Sequence, residues 1–175
     1  MSTSPPQDRT DLPGTLGADY AADADDQRPL GGYAVLTSTF GVLFAGGLLA
    51  ARRSGRELPD RIRVPDLAIG GIATYKLSRM ITKDKVTAFA RAPFTRFQEK
   101  AGHGEVEEAA RGRGLRYAIG ELLVCPYCIS QWVAGAFTLG FLFAPRLTRL
   151  LAGMWTVYAI ADVAQLGYKA LEEQS

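Results

Sequence analysis

Cysteine and histidine are scarce in this 175-residue chain, which contains two Cys and one His. Cys125 and Cys128 are the only possible disulfide pair, so a fold held together by several disulfides is excluded. Because a structural zinc site needs four ligands, these cysteines and His103 cannot supply a Cys and His site within one chain. Metal binding would require carboxylates or a second chain, and we expect no cofactor.

Charged residues are absent from two long stretches. Residues 29–51 contain none across 23 positions, and residues 122–145 contain none across 24. About 20 apolar residues are enough to cross a bilayer, so both stretches are predicted transmembrane helices and a simple soluble monomer is excluded. Residues 147–168 are predicted to span as well, with Asp162 as their only charge after Arg149.

Charge is sorted along the chain although the net charge is only +2. Residues 1–28 carry six Asp and two Arg, lack the basic start of a cleavable signal peptide, and are predicted to be a disordered acidic tail. Residues 52–116 carry fifteen Lys or Arg and eight acidic residues, beginning with a basic linker at 52–64. The positive-inside rule therefore predicts a multi-pass protein with its N-terminus outside and with residues 52–116 and the C-terminal tail, 169–175, in the cytoplasm.

Residues 65–82 form an ambiguous segment, because only Leu67 to Tyr75 is free of charge and that run is too short to span. Lys76, Arg79 and Lys83 recur at helical spacing and form a basic stripe. The segment is predicted to be an amphipathic helix in the headgroup layer of an anionic leaflet. If it spans instead, the better four-crossing arrangement has both ends inside and five arginines outside. Three crossings are favoured because sixteen Lys or Arg then lie inside.

Residues 83–116 carry eight basic and five acidic residues and are predicted to be mostly a charged loop. His103, between two glycines, is expected to be solvated. Aromatic residues are too sparse for base stacking, so the loop is expected to contact lipid headgroups rather than nucleic acid. The predicted fold class is an all-α integral membrane protein with about three transmembrane helices and one basic interfacial helix.

Small residues four positions apart form a stripe on each of two predicted spans. The stripes are Thr37, Gly41 and Ala45 in the first span and Ala136, Gly140 and Ala144 in the second. Small side chains let two membrane helices approach closely. The stripes therefore predict helix packing within the chain, in a homo-oligomer or with a membrane-protein partner.

The motif CPYC, from Cys125 to Cys128, is the one compact chemical signal. This spacing suits dithiol chemistry at a helix N-terminus, with Cys125 attacking and Cys128 resolving. A glutaredoxin fold is disfavoured, because the motif runs directly into a membrane-length apolar helix. Three interpretations remain: two small buried thiols that pack a helix start, a membrane-edge redox pair, or metal ligation between two chains. In the predicted topology the cytoplasm keeps the thiols free, and Glu121, one turn earlier, opposes thiolate formation.

Two phrases of the sequence resemble a known family. The segments IATYKLSRMITKDKVTAFARAPF and GELLVCPYCISQWVAG, separated by a charged loop, are similar to the Domain of Unknown Function 1360 family of small bacterial membrane proteins, some labelled sporulation-associated. The resemblance covers roughly residues 65–168. The matching residues are Thr74, Tyr75, Arg79, Asp84, Lys85, Glu121, Cys125, Cys128 and Trp132. Ser130 departs from the family pattern, which often has Gly there.

The resemblance brings no reaction, substrate or cofactor, but it implies that Asp84, Lys85, Glu121 and the cysteines form one constellation. A fold-back of residues 84–120 would bring them together at the cytoplasmic membrane edge. The resemblance also implies that the protein lies in a bacterial cell membrane.

Four further residues complete the candidate site. Asp162 is expected to pair with Lys76 or Arg79 near the cytoplasmic end of its helix, because a charge inside a membrane helix is costly alone. Trp132 is expected to be an interfacial anchor or a packing residue. No Walker or Rossmann glycine pattern occurs, so we expect a non-enzymatic membrane component or interaction protein. The alternatives are a thiol–disulfide oxidoreductase that uses CPYC and a metal-bridged dimer through CPYC.

Overall fold

The structure is a computed structural model, which describes residues 29–102 and 104–174. The predictions of a disordered tail at residues 1–28 and of a solvated His103 lie outside the described residues.

The described part of the chain is mostly helical, with one small sheet. The helices are α1 (Leu30–Arg53), α2 (Val64–Lys83), the short α3 (Ala88–Arg91), α4 (Gly114–Val124), α5 (Pro126–Phe143) and α6 (Pro145–Glu172). A 3₁₀ turn at Lys85–Thr87 follows α2, and the antiparallel strands β1 (Thr95–Gly102) and β2 (Glu105–Ala110) form a hairpin. The all-α prediction is therefore correct for the main helices and wrong for residues 95–110.

Prolines set the boundaries of the last two long helices. Pro126 occupies the first turn of α5, where its missing N–H costs nothing, and the Sγ of Cys125 accepts a hydrogen bond from the Cys128 backbone N–H at 3.2 Å. The predicted span at residues 122–145 is thus broken at Cys125, with an angle of 84° between α4 and α5. Pro145 then begins α6 immediately after α5 ends.

Two helices, α1 and α6, are long and apolar enough to cross a membrane. The bent pair of α4 and α5 is a third candidate if it is counted as one broken span. The part of the chain that the structure describes therefore has two to three candidate spans by length and composition, and all of them fall where long apolar runs predicted spans.

Helix α2 packs inside the bundle, against α5 and α6. Asp66 near its start bonds Arg149, Thr156 Oγ1 donates to the Ile69 carbonyl at 3.0 Å, and Lys76 farther along bonds Asp162. Helix α2 thus runs parallel to α6. The prediction that residues 65–82 form a separate interfacial helix is wrong in this respect, because α2 packs against two other helices and Lys76 of its basic stripe is buried.

Helix α1 packs against α5 in a parallel orientation. Trp132 lies edge-on to Phe40, with ring centroids 5.4 Å apart, and Gly47 lies against Leu139 one to two turns farther along. Of the two small-residue stripes, Gly140 packs against Thr148 of α6, whereas Gly41 has open space in front of it. One stripe therefore includes a contact inside the chain, and the other remains exposed on α1.

The hairpin corrects the prediction that residues 83–116 are mostly loop. Gly102 and Gly104 at its turn both have φ of +84°, a backbone conformation that glycine adopts without strain. Arg91 holds the hairpin to the end of α2: its guanidinium bonds Glu108 of β2 at 2.7 Å and the Ile81 carbonyl at 2.6 Å. Arg91 is 1% exposed, so an ion pair rather than an apolar cluster anchors this sheet.

The bundle has two distinct ends. The start of α1 meets α4, where Tyr33 bonds Glu121, and the hairpin and the end of α2 lie at this hairpin end. At the opposite linker end, Arg56 donates to the Leu142 carbonyl at 2.9 Å. Residues 54–63 and the hairpin therefore lie at opposite ends of the bundle, although their shared basic character had grouped them on one side.

Candidate functional site: a charged cavity at the hairpin end

Four ion pairs tie α2 to its neighbours. Lys76 and Asp66 of α2 pair with Asp162 and Arg149 of α6, respectively. The other two pairs join Arg79 and Lys83 of α2 to the hairpin. These contacts place charged side chains where helices meet, a position at which a charge without a partner would be strongly destabilising.

Lys76 is the most enclosed of these cations, with 8% of its side chain exposed. Its ammonium group bonds the carboxylate of Asp162 and lies 4.0 Å from the centroid of the Tyr158 ring, so a cation–π contact supports the ion pair. Of the two partners predicted for Asp162, the structure selects Lys76.

Arg79 lies one turn after Lys76 and reaches Glu105 at the start of β2. Its guanidinium makes a two-point contact with both carboxylate oxygens, at 2.6 Å from Nη2 to each. This geometry gives Arg79 a fixed orientation. The pair positions the hairpin beside α2 and α6.

A cavity of 640 Å³ opens between α2, α6 and the hairpin. Seven charged residues line it: Lys76, Arg79, Asp84, Lys85, Glu105, Asp162 and Lys169. Five members of the predicted constellation therefore share one cavity.

Asp84 lies at the end of α2 and is half-buried. Burial raises the pKa of its carboxyl above the ordinary value; Lys76 opposes this shift, and Glu105 and Asp162 reinforce it. Among the described residues, the Asp84 carboxylate has no hydrogen bond and no salt bridge of its own. It is a carboxylate that the fold places near other charges without pairing it.

Glu121 and Trp132 do not join this cavity. Glu121 accepts a hydrogen bond from the Tyr33 hydroxyl between α4 and α1, and Trp132 packs on Phe40. The implied single constellation is therefore divided into a cavity group and a group around the bend between α4 and α5.

A disulfide joins Cys125 and Cys128 at this bend. Cys125 is half-buried, Cys128 is exposed, and Tyr127 between them is 89% exposed. The interpretation of two buried packing thiols is wrong, because the two sulfurs are joined in a disulfide and Cys128 is exposed. In the disulfide form, neither sulfur is a thiolate that could bind a metal, so metal bridging stays a prediction about the reduced form. Thiol–disulfide exchange stays a prediction as well.

Several residues of the site were missed from the sequence. Glu105 and Arg91 lie in a segment predicted to be loop, and Tyr158 lies in a predicted span with no polar neighbour in sequence. Only the hairpin fold brings Glu105 to Arg79. The spacing of Tyr158 and Asp162, four residues apart on one helical face, was an available signal for the cation–π contact.

Comparisons with known proteins agree with the resemblance. A family model described as "Protein of unknown function (DUF1360)" matches residues 69–168. The UPF0713 protein YngL of Bacillus subtilis (strain 168) is 33% identical over 79 residues, which is 43% of this chain and 57% of YngL. The sporulation protein YjcA of the same organism is 29% identical over 97 residues, which is 54% of this chain and 82% of YjcA. The chain thus spans little more than half the length of YngL, and no solved structure matches it.

Proposed function

The chain belongs to the DUF1360 family of proteins of unknown function, and from this premise we propose that it is a non-enzymatic integral membrane component. Its four long helices form a bundle that carries a charged cavity at one membrane edge. The cavity and the exposed small-residue stripe on α1 are the surfaces through which it meets lipid and a partner helix.

The inverted distribution of polar and apolar side chains is the observation that carries this proposal. Lys76 is 6% exposed, whereas its sequence neighbour Tyr75 is 59% exposed. Large apolar side chains also face outward on the other long helices, for example Val42 at 71% and Val157 at 67%. Water favours the opposite arrangement, whereas a bilayer favours apolar side chains outside and paired charges inside.

The direction of α2 supports four crossings over the three that the charge pattern favoured. Helix α2 has 20 residues, which at about 1.5 Å per residue matches a hydrocarbon core of about 30 Å. It is too polar to pass as a span by itself, but α6 and the hairpin supply partners for its charges. The four-crossing topology assigns residues 54–63 and the hairpin to opposite sides of the membrane.

The orientation that we propose has the hairpin end in the cytoplasm. Nine Lys or Arg lie in residues 83–116 and at Lys169, against seven in residues 52–63 and at Arg146 and Arg149. The larger number favours the cytoplasmic side. Both ends of the described chain are then cytoplasmic.

The exposed stripe on α1 supports contact with another membrane helix. Thr37, Gly41 and Ala45 are all exposed, and a methyl group added at Gly41 would meet nothing within 4 Å. Close approach of a second helix is favoured at such a surface. A second copy of the chain or another membrane protein would pack there.

Carbonate extraction and sided labelling test the proposal together. The chain is expected to stay with membranes in alkaline carbonate and to leave them only with detergent. Single cysteines at Asp60→Cys and Lys100→Cys, in a Cys125→Ser and Cys128→Ser background, are then treated with a membrane-impermeant maleimide. Asp60→Cys is expected to react in intact cells and Lys100→Cys only after permeabilisation.

Equal reaction of both positions in permeabilised cells is the control for accessibility. Reaction of both positions from the same side would contradict four crossings, and the reversed pattern would contradict the orientation. Release by carbonate alone would contradict an integral membrane protein.

A further inference from the structure

The ion pairs in the cavity at the hairpin end do not include one of its carboxylates, that of Asp84. Lys76 and Asp162 neutralise each other, as do Arg79 and Glu105. Asp84 has no such partner among the described residues, and it is half-buried in the same cavity. A carboxylate in this position favours a positively charged group that can donate hydrogen bonds.

Two cations of the same cavity have weak partners or none among the described residues. Lys85 is exposed and its side chain makes no hydrogen bond or salt bridge there. Within residues 29–102 and 104–174, the Lys169 side chain has only an exposed contact with Glu173, at 3.9 Å, at the end of its own helix. Exposed pairs of this kind contribute little, so both ammonium groups remain available to an anion.

Apolar side chains continue the cavity wall onto the outer surface of the bundle. Tyr75 of α2 and Val163 and Leu166 of α6 line the cavity, and they are 59%, 69% and 53% exposed. If the bundle spans a membrane as proposed above, this surface faces acyl chains. The cavity therefore combines a half-buried carboxylate, two cations and a lipid-facing apolar wall.

We propose that this cavity binds the headgroup of a zwitterionic phospholipid that carries a primary ammonium group. The ammonium group lies at Asp84, the phosphate lies between Lys85 and Lys169, and the acyl chains follow Tyr75 and Leu166. This inference rests on the proposed membrane function. A cation at Asp84 would also offset the cost of burying the carboxylate, in agreement with its raised pKa.

The headgroup chemistry distinguishes a phospholipid with a primary ammonium group from other lipids. A trimethylammonium group has the same charge but no N–H to donate to Asp84, and a glycerol headgroup has no positive charge at all. Free phosphoethanolamine has both charges but no acyl chain for the apolar wall. Selectivity is expected because a half-buried carboxylate without a hydrogen bond is costly.

Native mass spectrometry of the detergent-purified full chain tests this inference with short-chain lipids. Phosphatidylethanolamine is expected to bind about tenfold more tightly than phosphatidylcholine or phosphatidylglycerol. Asp84→Asn should remove that preference. Lys85→Gln with Lys169→Gln, both at exposed side chains, should weaken phosphatidylethanolamine and phosphatidylglycerol alike.

Asp60→Asn, at an exposed position of the linker end, is the matched control and should keep the preference. Equal binding of the three lipids, an unchanged preference in Asp84→Asn, or equally tight binding of free phosphoethanolamine would overturn the inference. If the chain resists carbonate extraction but shows no preference among the three lipids, this inference is wrong and the proposed function is not affected. A chain released by carbonate fails the proposed function itself.

Discussion

Lys76 illustrates how one residue carries information that the average composition hides. As part of a basic stripe it suggested contact with lipid headgroups, because exposed cations on an amphipathic helix usually have that role. Its side chain is instead enclosed by Asp162 and Tyr158. The difference is physical: periodicity identifies a polar face but does not say whether water or another helix covers it.

Removal of the positive charge at Lys76 should destabilise the bundle. Lys76→Met leaves the Asp162 carboxylate without its partner, and we expect a loss of about 2–3 kcal/mol. We expect a modest loss for a broken ion pair because the Asp162 side chain is 34% exposed, so water can partly solvate its charge. The free energy of unfolding can be measured by denaturant titration in mild detergent.

A double-mutant cycle separates this pair from simple loss of packing. Addition of Asp162→Asn to Lys76→Met should recover at least half of the loss, because no unpaired charge remains. Lys100→Met, at an exposed hairpin position, is the matched control and should change stability little. Additive losses in the double variant would show that the ion pair is not the source of the effect.

At the scale of elements, the apolar helices could be predicted and the hairpin could not. Helix α1 follows from an uncharged run bounded by Pro and Arg, and α6 follows from a long apolar run whose only charge between Arg149 and Lys169 is Asp162. The hairpin strands lack the alternation of large apolar residues that predicts a half-buried strand, and Val106 is their one buried large apolar residue. Their stability comes from Arg91 and Glu108, a contact that no local pattern reveals.

The cavity, too, could be predicted only in part. Asp162 could be selected from the sequence, since a charge within an apolar helix is costly without a role. Asp84 and Lys85 were selected by family resemblance. Their assembly in one cavity depends on the parallel course of α2 and α6, which loop lengths and charge counts did not indicate. Glu121 was grouped with them by family resemblance, yet the bend at Cys125 directs it toward Tyr33.

Gly120 should be essential for docking α4 on the hairpin. A Cβ at this position would lie 2.5 Å from the Phe94 carbonyl oxygen and 2.9 Å from the Ala110 side chain. Because backbone cannot move aside cheaply, Gly120→Ala is expected to cost about 1–3 kcal/mol. The loss should appear as faster hydrogen exchange of the β1 and β2 amides.

Gly153 of α6 provides the matched control, since a Cβ there would meet nothing within 4 Å. Gly153→Ala should leave hairpin exchange unchanged and keep or raise helix stability by up to about 1 kcal/mol. Equal exchange rates in the Gly120→Ala variant and the parent chain would show that α4 does not support the hairpin.

For the whole molecule, the arrangement of helices links topology to the state of the cysteines. The start of α1, the end of α6, the hairpin and the CPYC turn all lie at the hairpin end, so one choice of orientation fixes the compartment of each. The sequence predicted the segregation of charge correctly, but a rule that counts basic residues could not detect that the two basic segments lie at opposite ends. The contacts between α2 and α6 show that the two segments lie at opposite ends.

The proposed orientation predicts reduced cysteines in growing cells. An exposed disulfide on the cytoplasmic side is open to thiol exchange, in which a dithiol donor is oxidised as Cys125 and Cys128 are reduced. Cells quenched with a permeant maleimide should therefore yield chains that carry two labels, counted by intact mass, without prior reductant. Cys128→Ser tests exchange further, because a redox role predicts a mixed disulfide at Cys125, whereas a non-enzymatic role predicts a free thiol there. Chains that accept label only after reduction would contradict the orientation and indicate a hairpin end that faces an oxidising compartment.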